Sequence, residues 1–214
     1  MHSNLSFKAA ILLLALPLAG CFGDGDFHAP LENSSFRATP LHFGLHVTPD
    51  PENNPIDPPE RFEGYHVATD YEVSTGELEG DVPVYAICPG KVLYSGFSHG
   101  YGGLVIHTCK INRESVTVLY GHLSLEGLPP QGSKVAAGQV IGLLAPARSY
   151  ESDGNRKHLH LGIHKGTTMD LRGYVQTEEA LKDYIDPLTI FPAGVVDLNG
   201  DGAGEVPYWQ TTSE

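Results

Sequence analysis

The chain has little positive charge. Thirteen lysines and arginines stand against 26 acidic residues, which gives a formal net charge of −13 over 214 residues. Nucleic-acid phosphates need Lys and Arg partners, so this deficit makes the chain a poor candidate for binding nucleic acid. The sequence also lacks fixed-period repeats, heptads, an H-E-x-x-H zinc motif and a G-x-S-x-G turn. A serine or cysteine mechanism therefore has no motif behind it.

No apolar run is long enough for a transmembrane helix, which needs about 20 residues. The longest, "AAILLLALPLAG" (9–20), follows Lys8 and fits the core of a signal peptide. It ends in "LAGC", which resembles a bacterial lipobox. We therefore expect residues 1–20 to be a lipoprotein signal peptide and Cys21 to carry a lipid. The protein would then be anchored in the cell envelope, outside the cytoplasm. The anchor would lie on the periplasmic side of a bacterial membrane or on the outer membrane. The alternative is an ordinary signal peptide with a chance cysteine.

Only two other cysteines are present, Cys88 and Cys109. Outside the cytoplasm the compartment permits disulfides. Two strands joined by a glycine-rich turn could bring these residues together, and a bridge over a loop of this size contributes roughly 3 kcal/mol. The alternative is a pair of buried free thiols. We favour the disulfide.

The 25 glycines and 16 prolines indicate a turn-rich, mainly β protein. Residues 21–40 show no periodicity and predict a lipidated, flexible tether, and the proline-rich stretch 48–60 predicts a surface loop. Short strand patterns recur from residue 82 onward, and a single short helix is predicted over 177–185. These patterns predict a single antiparallel β domain, built as a sheet or a sandwich.

An acidic tail follows the domain over residues 193–214. Its segment "DLNGDGAGE" has the alternation of oxygen-bearing side chains that a calcium loop uses, at Asp197, Asn199, Asp201 and Glu205. Position 12 of that alternation is a tyrosine rather than the glutamate of an EF-hand. The tail is therefore either a calcium loop or simply an acidic, glycine-rich extension.

Three histidine-containing segments stand out. In "HLHLGIH", a strand would place His158 and His160 on one face, about 7 Å apart along the chain, with the intervening leucines facing the core. His66 and Asp70 would be about 13 Å apart on an extended chain, so the segment must bend if both bind one metal. A third segment, "LYGHLSL", ends a β run at His122.

The order H-x-x-x-D, Y-G-H-L, H-L-H resembles the lysostaphin-like zinc metallopeptidases, also called LytM-domain proteins. The stretches "VPVYAICPGKVLYSGFSHGYGGLVI", "GSKVAAGQVIGLL" and "IDPLTIF" are also similar to that family. The resemblance covers residues 41–192. It implies a β domain of the duplicated hybrid-motif type and an endopeptidase acting on peptide bonds in peptidoglycan cross-links or stem peptides.

The resemblance also implies roles for five residues. His66, Asp70 and His160 would bind one Zn²⁺ and leave a fourth position for water. His122 and His158 would be catalytic, one accepting a proton and the other stabilising the oxyanion or protonating the leaving amine. The resemblance leaves open which histidine does which.

Some residues depart from the family pattern. Ala68 stands where glycine is common, and Arg156 and Lys157 replace small residues before H-L-H, which predicts a bulkier and more basic substrate-side loop. His164 is predicted to lie at the rim without a role. Four further histidines are interpreted as structural or surface residues: His42, His46, His99 and His107.

Two other functions remain open at this point. One is a non-catalytic module of the same type that binds cell-wall peptides or regulates another wall hydrolase. The other is a zinc peptidase that cleaves proteins. All five functional positions are filled, which favours catalysis over the non-catalytic module.

Overall fold

The structure, a computed structural model, describes residues 27–56 and 60–193. The strands are β1 (His46–Val47), β2 (Gly64–His66), β3 (Ala68–Glu72), β4 (Pro83–Tyr85), β5 (Gly90–Ser98), β6 (Gly102–Ile111), β7 (Glu114–Leu123), β8 (Lys134–Val135), β9 (Val140–Leu143), β10 (His158–Lys165) and β11 (Tyr174–Val175). The 3₁₀ helices of the described part are Ser34–Phe36, Thr75–Glu77, Glu178–Asp183 and Pro187–Thr189. The predicted mainly β architecture is confirmed.

The main sheet has six strands in the order β3-β10-β7-β6-β5-β8, and all its pairings are antiparallel. Strand β10 lies between β3 and β7. Its residue His160 is opposite Asp70 on one side and Gly121 on the other. The sheet thus brings three widely separated segments of the chain together at one point.

Two small sheets complete the domain. Strands β4 and β9 form one, and β1, β2 and β11 form the other. The chain leaves β2 at His66, bends at Val67 and enters the main sheet as β3. This is the bend that the spacing of His66 and Asp70 requires.

Apolar side chains fill one face of the main sheet. Leu159 and Leu161 are fully buried there among the aromatic rings of Tyr71 and Tyr120. Burying a leucine side chain contributes about 1.5–3 kcal/mol, so this alternation fixes which face of β10 carries the histidines. Cys88 and Cys109 border the same core and form a disulfide, with their Cα atoms 6.0 Å apart.

The N-terminal part of the domain differs from the prediction. Residues 27–40, assigned to a flexible tether, pack against the domain: Leu31 is buried in the core and Arg37 forms an ion pair with Glu77 at 2.8 Å. A single apolar side chain and a single arginine carry no periodicity, which is why the pattern did not indicate ordered packing. The predicted helix over 177–185 is present as the 3₁₀ helix Glu178–Asp183.

Residues at the two ends of the chain lie outside the described range. These include Cys21 and the predicted calcium ligands Asp197, Asn199, Asp201 and Glu205, which stay predictions. Among the described residues, no helix is long and apolar enough to cross a membrane.

Candidate metal centre

Three ligand-type side chains converge where β10 meets β3. His160 Nδ1 lies 3.0 Å from Asp70 Oδ1 and 3.2 Å from His66 Nε2. His66 Nε2 lies 3.6 Å from Asp70 Oδ1. All three residues are buried. Within the described part of the chain, this is the one group of at least three His, Cys, Asp or Glu side chains close enough to hold a metal ion.

The spacing of these atoms fits a zinc ion. Ligands about 2.0–2.1 Å from zinc at tetrahedral angles lie about 3.3 Å from one another. The three observed separations, 3.0, 3.2 and 3.6 Å, bracket that value. Two imidazole nitrogens and one carboxylate oxygen are also a donor set that catalytic zinc sites use, with a further position left for water.

His66 is held in an orientation suited to ligation. Its Nδ1 lies 3.4 Å from the carbonyl oxygen of His42, and only a protonated Nδ1 can donate to that carbonyl. The lone pair is then on Nε2, which faces Asp70 and His160. Burial lowers the pKa of His66 to about 3, so the ring is neutral at pH 7. Because metal ligation requires a neutral imidazole, no proton has to be displaced there.

The second oxygen of Asp70 faces an arginine and a histidine. Asp70 Oδ2 lies 2.9 Å from Arg156 Nη2 and 3.0 Å from His158 Nε2. Burial alone would raise the pKa of Asp70, but His158 and His66, with hydrogen bonds from His158 and His160, hold it well below its usual range. Asp70 is therefore a carboxylate with one oxygen engaged by donors and the other directed at the two histidine nitrogens.

His122 and His158 lie together beside this cluster, with ring centroids 4.4 Å apart. His158 Nδ1 is 3.0 Å from the carbonyl oxygen of Arg156. His122, by contrast, makes no side-chain hydrogen bond to a described residue, and its Nδ1 is buried without a partner. Burial, followed by the neighbouring His158 and His160, keeps the pKa of His122 well below its ordinary value.

The backbone at His122 is unusual. Its φ is +64°, a left-handed conformation that costs non-glycine residues about 1–3 kcal/mol. Its N–H donates to the Tyr101 carbonyl and its carbonyl accepts from Ala145 N, both at 2.9 Å, so the residues just before β6 and just after β9 hold the conformation. Such strain, when over-determined by surrounding contacts, is typical of functional sites.

Gly121 gives the site its close packing. A Cβ at this position would lie 2.8 Å from the ring of Tyr101 and 3.3 Å from Cβ of His160. Tyr101 packs edge-on against His160, with ring centroids 5.2 Å apart, and its hydroxyl donates to the Leu171 carbonyl at 3.1 Å. The glycine of "YGH" therefore leaves the room that Tyr101 needs to support a candidate ligand.

A groove opens over the cluster. Tyr174 covers His66 on one side, with ring centroids 5.2 Å apart, and Phe62 packs on Tyr174 at 5.5 Å. The groove is lined by acidic, basic and apolar side chains, among them Glu60, Phe62, Tyr101, Arg156, Leu171 and Tyr174. Tyr101 lies in the "GYGG" segment, a signal present in the sequence, whereas no motif pointed to Tyr174.

The sequence predicted a more basic substrate-side loop from the two residues before H-L-H, but both of these residues have partners within the domain. Lys157 is buried, and its Nζ donates to backbone carbonyls of Glu77, Leu78 and Gly80. Arg156 lines the groove but is paired with Asp70 and with Glu72, whose Oε1 lies 2.7 Å from Arg156 Nη2. Both charges are thus compensated by acceptors within the domain.

The other histidines lie apart from the three candidate ligands. His107 is buried and its Nε2 lies 2.9 Å from the Tyr120 hydroxyl, while His99 is exposed. His164 lies on the same face of β10 as His160, half-buried, with Nε2 3.5 Å from Asp170. His46 packs against Tyr65, with ring centroids 4.7 Å apart.

The structure is similar to known folds. It matches the crystal structure of the SpoIIIAH and SpoIIQ complex over 77% of this chain and 99% of that chain, with 20% identity and a TM-score of 0.50. The catalytic domain of the antimicrobial peptidase lysostaphin from Staphylococcus simulans matches over 69% of this chain and 90% of that chain, with 22% identity and a TM-score of 0.43. A zinc-containing peptidase from Vibrio cholerae matches over 68% of this chain and 40% of that chain, with 21% identity and a TM-score of 0.44. A comparison with curated proteins gave no match.

The antiparallel fold and the His, Asp and His cluster beside two further histidines define a LytM-like peptidase domain. The sequence profile described as peptidase family M23 matches residues 64–171, just over half of the chain. This chain therefore belongs to peptidase family M23. The matched range contains the four histidines and the aspartate that the resemblance singled out.

Proposed function

We propose that this protein is a zinc-dependent endopeptidase that hydrolyses peptide bonds in peptidoglycan cross-links or stem peptides. The carrying observation is the position of His122, buried and without a side-chain partner, beside three converging donor atoms at zinc-like spacing. His66 Nε2, Asp70 Oδ1 and His160 Nδ1 would hold the ion. When bound, zinc would polarise the scissile carbonyl and lower the pKa of a bound water.

The two remaining histidines differ in ways that support different roles. Both nitrogens of His158 face acceptors, the Arg156 carbonyl and the Asp70 carboxylate, each at 3.0 Å, so the ring is placed to donate a hydrogen bond. The Nδ1 of His122 is buried without a hydrogen-bond partner, and burial keeps the pKa of the ring below its ordinary value, so the ring is neutral and has a nitrogen that can accept a proton. We therefore assign His122 as the base that accepts the proton from water. His158 is assigned as the donor that stabilises the oxyanion or protonates the leaving amine.

The groove is consistent with a peptide substrate. Its walls combine an aromatic surface at Phe62 and Tyr174 with polar side chains at the floor. Apolar walls with a few placed polar groups are the usual composition of ligand sites. The peptidoglycan substrate and the anchoring of Cys21 in the cell envelope rest on the sequence resemblance, and the family membership supports the former.

The test uses the full chain, purified in mild detergent, loaded with zinc and incubated with purified peptidoglycan. Mass spectrometry should detect peptide fragments that are absent with His160→Ala protein and after chelation, and the intact mass reports whether Cys21 carries a lipid. One zinc per chain without fragments, while an added wall hydrolase changes its activity, would instead support the non-catalytic module. Cleavage of proteins but not peptidoglycan would support a protein peptidase.

A further inference from the structure

Arg156 is placed unusually close to the candidate metal centre. It lies two residues before His158, and its side chain is only 13% exposed. Its Nη2 is 2.9 Å from Asp70 Oδ2 and 2.7 Å from Glu72 Oε1, and its Nε is 2.8 Å from the same Glu72 oxygen. A weaker contact of 3.4 Å joins Nη1 to Glu60.

The two carboxylates need such a partner. Asp70 and Glu72 are two residues apart on β3, so their side chains emerge on the same face of the strand. Both are 2% exposed, and two buried carboxylates side by side repel each other unless a cation lies between them. The planar guanidinium of arginine, with donors in a fixed fork, can bind both acids at once, whereas the lysine ammonium acts as a point charge.

We propose that Arg156 is a positioning residue for the metal ligand Asp70. It binds Oδ2 and leaves Oδ1 as the oxygen directed at His66 Nε2 and His160 Nδ1. Glu72 in turn fixes the guanidinium through two hydrogen bonds to one oxygen. This inference rests on the zinc site proposed above and is independent of which bond the enzyme cleaves.

The geometry distinguishes this role from general stabilisation. The contact of Arg156 is with the oxygen of Asp70 that faces away from the other two donors, while Arg37, another buried arginine, pairs with Glu77. Arg37 also donates to the Glu72 backbone carbonyl but to neither carboxylate in the site. Removing either arginine costs stability, but only the loss of Arg156 removes a partner of the ligand carboxylate, leaving His158 Nε2 as the remaining partner of Asp70 Oδ2.

The test measures zinc affinity by competition with a chromophoric chelator, using the full chain as wild type, Arg156→Met, Arg156→Lys and Arg37→Met. Loss of a partner that orients a metal ligand typically weakens affinity 10- to 100-fold. We expect that range for Arg156→Met, a smaller loss for Arg156→Lys, and a change of less than about twofold for Arg37→Met. Thermal unfolding of the metal-free proteins is recorded in parallel.

Cobalt(II) provides a second measurement, because its visible absorption reports the arrangement of ligands around the ion. We expect the spectrum to change in Arg156→Met and to be conserved in Arg37→Met. Unchanged or tighter zinc binding by Arg156→Met would overturn the inference. So would equal losses of affinity in Arg156→Met and Arg37→Met, because both would then follow from lost stability.

The outcome for the proposed function is read separately. A wild-type protein that binds zinc without cleaving peptidoglycan contradicts the endopeptidase, while the affinity series still decides the role of Arg156. A cleaving protein whose zinc affinity is indifferent to Arg156→Met overturns only the positioning role. A wild-type protein that binds no zinc overturns both.

Discussion

Two histidine–aspartate pairs lie along one face of strand β10, and only one belongs to a candidate metal centre. His160 faces Asp70 with Nδ1 and Oδ1 at 3.0 Å, and His66 completes the group. Four residues further along, His164 faces Asp170 with Nε2 and Oδ2 at 3.5 Å. Both aspartates are largely buried, so composition and burial alone do not distinguish the pairs.

The difference lies in what else binds each carboxylate. Arg172 donates to both oxygens of Asp170, and the Tyr184 hydroxyl donates to Oδ2 at 2.8 Å. At Asp70, the arginine occupies Oδ2 and leaves Oδ1 to the histidine nitrogens. A histidine beside an aspartate is thus a candidate ligand pair only when one oxygen is left for the metal. The second pair instead fixes the chain that follows β10.

The largest expected effect separates the two histidines by zinc affinity. His160→Ala removes a donor atom, and we expect a loss larger than the 10- to 100-fold typical of a supporting residue. His164→Ala should leave zinc affinity within about twofold, because it reaches none of the three donors. Competition with a chromophoric chelator measures both. Comparable losses of zinc affinity in the two variants would contradict the conclusion that only the His160–Asp70 pair binds the metal.

A second effect separates metal binding from catalysis. His122→Ala should lower the rate of peptide release by about 10²–10⁴-fold, the usual contribution of a positioned acid or base. The bound zinc should stay near one ion per chain, since His122 is not among the three donors. Elemental analysis with a peptidoglycan-release assay measures the two quantities. His164→Ala serves as the control, and an equal loss of rate there would contradict the assignment.

The smallest effect concerns the second pair alone. Asp170→Asn weakens hydrogen bonds from Arg172 and Tyr184, and we expect a loss of about 1–3 kcal/mol in unfolding free energy with zinc affinity conserved. Burial raises the pKa of Asp170, but hydrogen bonds from these residues outweigh it and lower the pKa from 3.8 to about 2.

That pKa shift sets the pH window of the effect. Because the folded pKa is below the unfolded value, the stabilisation is present above about pH 4 and is lost as pH falls towards 2. Denaturant unfolding of wild type and variant across this range is the measurement. The stability difference should shrink on acidification, and a pH-independent difference would show that the ionised carboxylate is not its source.

The alternation of apolar and polar residues predicted which side chains of β10 share a face. In "HLHLGIH" it placed the leucines in the core and the first two histidines on the opposite face, because one register of a half-buried strand satisfies both. The required bend between His66 and Asp70 was also correct. It follows from distance alone, since an extended chain cannot bring both side chains to one ion.

Other features depend on partners far away in the chain, and local patterns carry no information about them. Arg156 was predicted to make the substrate-side loop more basic, but the direction of its side chain is set by Asp70 and Glu72, more than 80 positions earlier. Leu31 belongs to no repeating apolar pattern, and only the folded core shows where it packs. The hydrogen bonds that occupy the Asp170 carboxylate likewise depend in part on Tyr184, which no sequence motif connects to Asp170.

The change of sheet at Val67 has a mechanical consequence. His66 ends a strand of the three-stranded sheet, whereas Asp70 and His160 belong to the six-stranded one. An ion held by all three would join the two sheets, because the donor atoms meet only while the sheets are packed together. Metal affinity would therefore also depend on how stably the smaller sheet packs against the larger one.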